Sequence, residues 1–191
     1  MLESSGVPLE IENVDTDQII PARFLKATER KDFGKNLFRD WRYDQDNTPK
    51  KDFVLNSKTY NGKILVAGKN FGSGSSREHA VWAIYDYGFR CVISSFFADI
   101  FKNNCLNIGV LPVQISAEFL KLIFNSIKES PSVKLKVNLI DQEISISGNL
   151  RKEKFEINPY KKENMINGFD DIDYLLNMKS EIKNFAKKRP F

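Results

Sequence analysis

The sequence holds one histidine, two cysteines and no long apolar run, and each scarcity closes off a class of protein. With only Cys91 and Cys105, the chain is no disulfide-stapled scaffold. No apolar stretch approaches the ~20 residues of a membrane-spanning helix. Met1-Leu2-Glu3-Ser4-Ser5 has neither a basic region nor a long apolar core, so no secretory signal is read there and a cytoplasmic location is expected. Internal repeats, low-complexity segments and clear linkers are missing too, so a single α/β domain over 1–191 is expected. Charge of one sign is in short supply: 29 Lys and Arg face 25 Asp and Glu, a net +4. The basic residues are dispersed, with local clusters at Lys161-Lys162 and Lys187-Lys188-Arg189. That balance favours anionic ligands but gives little support to a nucleic-acid surface.

What is present is the composition of an ordinary globular protein, 41% hydrophobic and 28% charged, long enough to bury a real core. The chain is organised around Gly68-Lys69-Asn70-Phe71-Gly72-Ser73-Gly74-Ser75-Ser76-Arg77-Glu78-His79-Ala80. The apolar run Ile64-Leu65-Val66-Ala67 before it suits a buried strand. Gly72 and Gly74 permit a tight turn and close approach of a ligand to the backbone. Ser75 and Glu78 have the spacing of a capping box, which predicts a helix over about 75–87 closed by Gly88. The free amides of a helix start can hold an anion, and Arg77 lies in that first turn.

Elsewhere the pattern is that of a mixed α/β fold. Val7-Pro8-Leu9-Glu10-Ile11 reads as an extended lead-in to Asp15-Thr16-Asp17, where spacing alone favours an Asx turn built on Asp15. Residues 22–61 are irregular, with basic residues interleaved among Phe24, Phe33, Phe38, Trp41 and Tyr43; they read as a loop and short helix over a core, with a binding loop or lid near 26–36. Strands at 63–68 and 91–95 flank the predicted helix as a βαβ unit, and a short helix from Phe96 leads into Gly109-Val110-Leu111-Pro112-Val113. Ser116 caps a helix to about Ser130. Alternation at Val133–Leu139, Glu143–Ser147 and Phe155–Ile157 predicts a β meander. Residues 160–188 read as two helices broken near Asn167-Gly168, with Ile172, Leu175, Leu176, Met178 and Ile182 as apolar contacts.

Three strings carry a resemblance: Asp15-Thr16-Asp17-Gln18-Ile19-Ile20-Pro21, Asn70-Phe71-Gly72-Ser73-Gly74-Ser75-Ser76-Arg77-Glu78-His79, and Ser95-Phe96-Phe97-Ala98-Asp99-Ile100-Phe101. In order and spacing they resemble the small subunits of 3-isopropylmalate dehydratase, the swivelling domain of the aconitase family made as a separate chain. Phe33-Gly34-Lys35-Asn36-Leu37-Phe38-Arg39-Asp40-Trp41-Arg42 and Met165-Ile166-Asn167-Gly168 extend the likeness over nearly the whole chain.

The resemblance implies the swivelling β/β/α domain of that family, a βαβ core with an added meander and C-terminal helices. It implies interconversion of 2- and 3-isopropylmalate in leucine biosynthesis by dehydration and rehydration. A [4Fe-4S] cluster is implied on a large subunit; a cluster takes about four thiolates and this chain has two cysteines, so none is expected here. A large-subunit partner and a dicarboxylate substrate follow, with neither nucleic acid nor membrane as partner. Ser75 takes the position of the catalytic base, as an alkoxide stabilised by loop amides and Arg77. Ser76 and Arg77 match positions that bind substrate carboxylate, for which an arginine fork is suited. Asp17 matches an active-site carboxylate, against the plain-turn reading of its spacing. A further substrate-binding arginine has Arg23, Lys26 and Arg30 as candidate counterparts. Asn70, Gly72, Gly74 and His79 support the loop, His79 through a structural hydrogen bond, while Asp99 and Asn104 are candidates for a supporting layer. Ser73 stands where many relatives have cysteine, and Val81 replaces a frequent proline. Small subunits of homoaconitase or citraconate/methylmalate dehydratase remain open within the family, and an RNA-binding module is the alternative of another class.

Overall fold

A computed structural model of the chain describes residues 1–26, 32–75 and 77–189. It divides into two compact units, Met1–Glu156 and Ile157–Phe191.

The first unit is built on a seven-stranded sheet of order β4-β3-β2-β1-β5-β6-β7. Strands β1 (Leu2–Leu9), β2 (Ile64–Ala67), β3 (Cys91–Ser94) and β4 (Leu111–Gln114) run parallel. Strands β5 (Lys134–Asn138), β6 (Glu143–Ile146) and β7 (Lys152–Lys154) continue the sheet antiparallel from the other side of β1. This is the expected α/β core with a meander attached, though the last strand lies three residues earlier than the predicted Phe155–Ile157. The two halves differ in sequence because they differ in cover. Every residue of β2 and β3 is buried, as in strands covered on both faces, whereas β5 and β6 alternate.

Helices fill both faces. On one, Val7, Leu9, Leu65, Ala67 and Val92 join a core with Ala80, Val81, Ala83 and Ile84 of α3 (Glu78–Tyr87), and with Phe101 and Cys105 of α4 (Asp99–Ile108). On the other lies α5 (Ala117–Glu129), whose Ile127 side chain reaches β1 at Gly6; a Cβ there would sit 2.8 Å from Ile127 Cδ1. Ser116 caps α5 as expected, accepting from Phe119 N at 3.2 Å.

The segment between β1 and β2 carries two four-residue helices, α1 (Thr16–Ile19) and α2 (Arg39–Arg42). Its anchor is Arg42, only 8% exposed. Arg42 donates to the carbonyls of Gly34 and Leu37 and to Asn56 Oδ1, and its guanidinium lies 4.9 Å from the Tyr87 ring centroid. Gly34 N donates to Asp86 Oδ2 at 2.7 Å, so this region is clamped onto α3. At least one of its interleaved basic residues is therefore a structural pin.

The expected cap of α3 does not form. The helix starts at Glu78, with Arg77 as an extended N-cap residue that makes no side-chain cap bond. Gly88, at φ +115°, closes it as predicted.

The second unit holds α6 (Pro159–Asn167), α7 (Asp171–Asn177) and α8 (Lys179–Lys188), three helices where two were expected. Asn158 and Asp170 cap the first two, and Gly168 at φ +68° ends α6. Tyr160 and Tyr174 pack edge to face, 4.5 Å between centroids. Ile172, Leu175, Leu176 and Ile182, expected as apolar contacts, are exposed.

Candidate active site at the carboxyl ends of the parallel strands

Three loops leave the carboxyl ends of β1, β2 and β3 and continue the parallel pairing beyond the sheet. Asn13 N donates to Lys69 O at 2.8 Å, Gly72 N to Val14 O at 2.8 Å, and Thr16 N to Ser73 O at 2.9 Å. On the other side Phe71 N donates to Phe96 O at 3.1 Å and Ala98 N to Phe71 O at 3.3 Å. The glycine loop is thus the middle member of a three-loop ladder. Ser94, fully buried, ties its start down by donating to Gly68 O at 2.7 Å. Ligands of parallel sheets collect at such strand ends because the loops are free there and the framework beneath is rigid.

Backbone geometry explains the loop's composition. Asn70, Gly72 and Gly74 all take positive φ, at 61°, 79° and 91°. The Asn70 side chain donates to Asn13 Oδ1 at 2.9 Å, linking two left-handed residues on adjacent loops. Gly72 lies on the Phe101 ring, and a Cβ there would come within 2.1 Å of Phe101 Cγ. Only a residue without a side chain lets the loop run so close to α4.

The two aspartates before α1 have separate tasks. Asp15 caps α1, accepting from Gln18 N at 2.9 Å, while Gln18 Oε1 accepts from Asp15 N at 2.9 Å. This reciprocal box is the turn read from spacing, and it satisfies donors at the helix start. Asp17 instead forms an ion pair with Arg77 across the gap between loops. The Arg77 side chain is 16% exposed and that of Asp17 54%, so the guanidinium is the sheltered partner.

A cavity of about 240 Å³ opens beside this pair. Thr16, Ser75 and Arg77 line it together with Gly72 and Gly74, and Ala98, Asp99, Ile100, Phe101 and Asn104 complete the wall. Ser75 is exposed at its mouth, and the Thr16 hydroxyl fixes its backbone by donating to Ser75 O at 2.9 Å. Ser75 lies three residues ahead of α3 and is not its cap. The cavity thus brings Ser75, Thr16 and the guanidinium side of Arg77 to one open space, while the Gly72 amide is already taken up by Val14 O.

The other expected site residues lie elsewhere. His79 packs its ring 4.4 Å from Trp82 and 5.7 Å from Phe33, and is not among the residues lining the cavity. Arg23 is bound to both oxygens of Asp40, at 3.0 Å for the longer contact, and the guanidinium holds the Asp40 carboxyl below the usual carboxylate range. Arg23 lines a different and larger groove of about 1310 Å³, with Lys35, Arg39 and Lys50. The cations of that groove are already engaged: Lys35 with Asp32, Arg39 with Asn47, and Lys50 with Asp44 and the Asp40 carbonyl. Lys26 is exposed at the edge of the described stretch. Ser76 and Arg30 fall outside the described residues.

Sequence reading passed over Thr16 and Ile100. The signal for Ile100 was present, because Ile100 and Asn104 share a helix face distinct from that of Phe101, Cys105 and Ile108.

The chain's own residues do not fit an iron–sulfur cluster. Both cysteines are fully buried in the core, and burial pushes both thiols up. Among the described residues, no group of three or more His, Cys, Asp or Glu side chains is placed to hold a metal ion.

Residues 2–118 match the family described as the aconitase C-terminal domain. The chain is 62% identical to a 3-isopropylmalate dehydratase small subunit from Cytophaga hutchinsonii, over 97% of this chain and 92% of the relative. It is 56% identical to the small subunit from Christiangramia forsetii, over 98% and 92%. Among solved structures, a 3-isopropylmalate dehydratase from Methanocaldococcus jannaschii matches with a TM-score of 0.67 and 28% identity, over 95% of this chain and 97% of that one.

Proposed function

The chain belongs to the aconitase C-terminal domain family, and from that membership we propose that it works as the small subunit of a 3-isopropylmalate dehydratase. The reading rests on one observation above others: identity of 62% runs the length of both chains, not a motif alone. The activity is that of a hydro-lyase in leucine biosynthesis, exchanging 2-isopropylmalate and 3-isopropylmalate through an alkene.

This chain supplies the proton chemistry. The Ser75 oxygen, as alkoxide, takes the proton from the carbon next to a substrate carboxylate. The electrons of that C–H bond form the double bond, and the hydroxyl leaves the adjacent carbon. Rehydration reverses both events with the carbons exchanged, and Ser75 returns its proton to the carbon that first carried the hydroxyl. An alkoxide needs donors already in place, and the sharing of one cavity by Ser75, Gly74 and Arg77 supports that assignment. Arg77 binds a substrate carboxylate, and Asp17 holds its fork in position. Ser76 is assigned to the same carboxylate by its place in the family motif. A [4Fe-4S] cluster on a large subunit would supply the Lewis acid for the hydroxyl, leaving proton transfer and carboxylate binding to this chain's Ser75, Ser76 and Arg77.

Co-expression with a cluster-bearing large subunit tests the reading. A heteromer that converts 2-isopropylmalate in preference to homocitrate-type or methylmalate-type acids is the expected result. A stable heteromer inactive on isopropylmalate would reject it, and activity on another acid would reassign the substrate.

A further inference from the structure

We propose that Thr16 is the positioning residue for Ser75: its hydroxyl fixes the loop backbone that presents the base to the cavity. The proposal deepens the functional reading above and rests on it.

Residues 73–75 lie between β2 and α3, outside both, and Thr16 grips them at two points. Its backbone N donates to Ser73 O and its side-chain hydroxyl to Ser75 O, each at 2.9 Å. Gly74 is the residue spanned. A Cβ added to Gly74 would lie 3.6 Å from Thr16 Oγ1, so the loop runs against Thr16 between the two bonds. The first bond belongs to the backbone ladder, and any residue with an N–H can make it. The second needs a hydroxyl, and it falls on Ser75 itself.

The anchor end is rigid. Thr16 is 2% exposed and opens α1, whose start is closed by the Asp15–Gln18 box and whose Ile19 is fully buried in the core. The other end is open. Ser75 is exposed at the cavity mouth, beyond the ladder and three residues ahead of α3. The Thr16 hydroxyl therefore carries the order of the framework out to the base. Asp17, the next residue of α1, pairs with Arg77, so the two ends of the site are held separately. Proton transfer depends steeply on placement: a displacement of about 1 Å can cost about 10²-fold in rate.

The test uses the assembled heteromer carrying Thr16→Val, close in shape but without the hydroxyl, or Thr16→Ser, which keeps it. Thr16→Val is expected to lower kcat on 2-isopropylmalate by about 10–100-fold with KM within about two-fold of wild type, because the lost order is felt at the proton-transfer step and not in substrate affinity. Thr16→Ser is expected to recover most of that loss. In a Ser75→Ala background, Thr16→Val is expected to change the residual rate by less than about two-fold, since a residue acting through Ser75 has nothing left to position. Full additivity of the two changes, or a rise in KM with kcat kept, overturns the proposal and makes Thr16 a direct substrate contact. Unchanged kinetics in Thr16→Val overturns it too. So does an equal loss of kcat in the Val and Ser variants, or failure of the Val variant to assemble, either of which would give Thr16 to the framework alone. Wild-type heteromer without isopropylmalate turnover, or full turnover in Ser75→Ala, would instead strike the functional reading, and both are seen before Thr16 is changed.

Discussion

Ser75 depends, for its proposed base role, on fixed surroundings more than on the chemistry of a free hydroxyl. Its backbone oxygen is held by Thr16, and Gly74 and Arg77 stand beside it at the open cavity. Removing a general base typically costs about 10²–10⁴-fold. Ser75→Ala is expected to lower kcat by that amount in the heteromer while assembly, followed by size-exclusion chromatography, stays intact. Wild-type turnover in the variant would contradict the base assignment. The neighbouring aspartates mark how far sequence reaches at this scale. The cap formed by Asp15 was legible from spacing, because a side-chain acceptor three residues before a free amide is a local arrangement. The pairing of Asp17 with Arg77 joins residues sixty apart in the chain. No local pattern encodes it; the family motif pointed to Asp17, and the three-loop ladder brings the partners together.

The glycine loop is held to its neighbours by a backbone ladder, to which the Asn70–Asn13 and Arg77–Asp17 side-chain contacts are added. Gly72 combines a left-handed φ with contact against Phe101, and these penalties add. The left-handed conformation costs a residue with a Cβ about 1–2 kcal/mol, and overpacking about 1–3 kcal/mol more. Gly72→Ala is expected to destabilise the chain by roughly 2–5 kcal/mol in urea unfolding, the sum of those two effects. Gly148→Ala is the control: its φ is +81° with nothing within 4 Å of a Cβ, so only the first, smaller cost of about 1–2 kcal/mol applies. Equal losses at the two positions would show that the Phe101 contact gives way freely. Buried strands, the Gly88 stop and the Ser116 cap were legible because each depends on near neighbours. The start of α3 was not. Residues 73–75 are bound to Thr16 through the Ser73 and Ser75 carbonyls, and this nonlocal pairing outweighs a capping box worth ~1 kcal/mol.

For the whole molecule the decisive property is what the core does with its two thiols. Cys91 lies in β3 and Cys105 in α4, both without solvent exposure, and burial raises both well above an ordinary thiol. A raised thiol pKa keeps the protonated form dominant near neutral pH, and the thiolate is the form that binds iron or attacks a disulfide reagent. Two protonated, enclosed thiols stand far from the four thiolates that a cluster takes. Anaerobic treatment of the isolated chain with iron and sulfide is therefore expected to leave no stable visible absorption. In the same native chain an aromatic disulfide reagent near pH 8 is expected to titrate neither cysteine, and in denaturant both. A stable chromophore on the isolated chain would mean that this subunit holds its own iron, and the division of labour with a large subunit would fall. The same reagent separates the two causes of inertness. Reaction of the native chain as pH rises toward 10, with its secondary structure unchanged, would assign protection to protonation. Protection that persists until unfolding would assign it to enclosure, and the burial of both side chains favours enclosure.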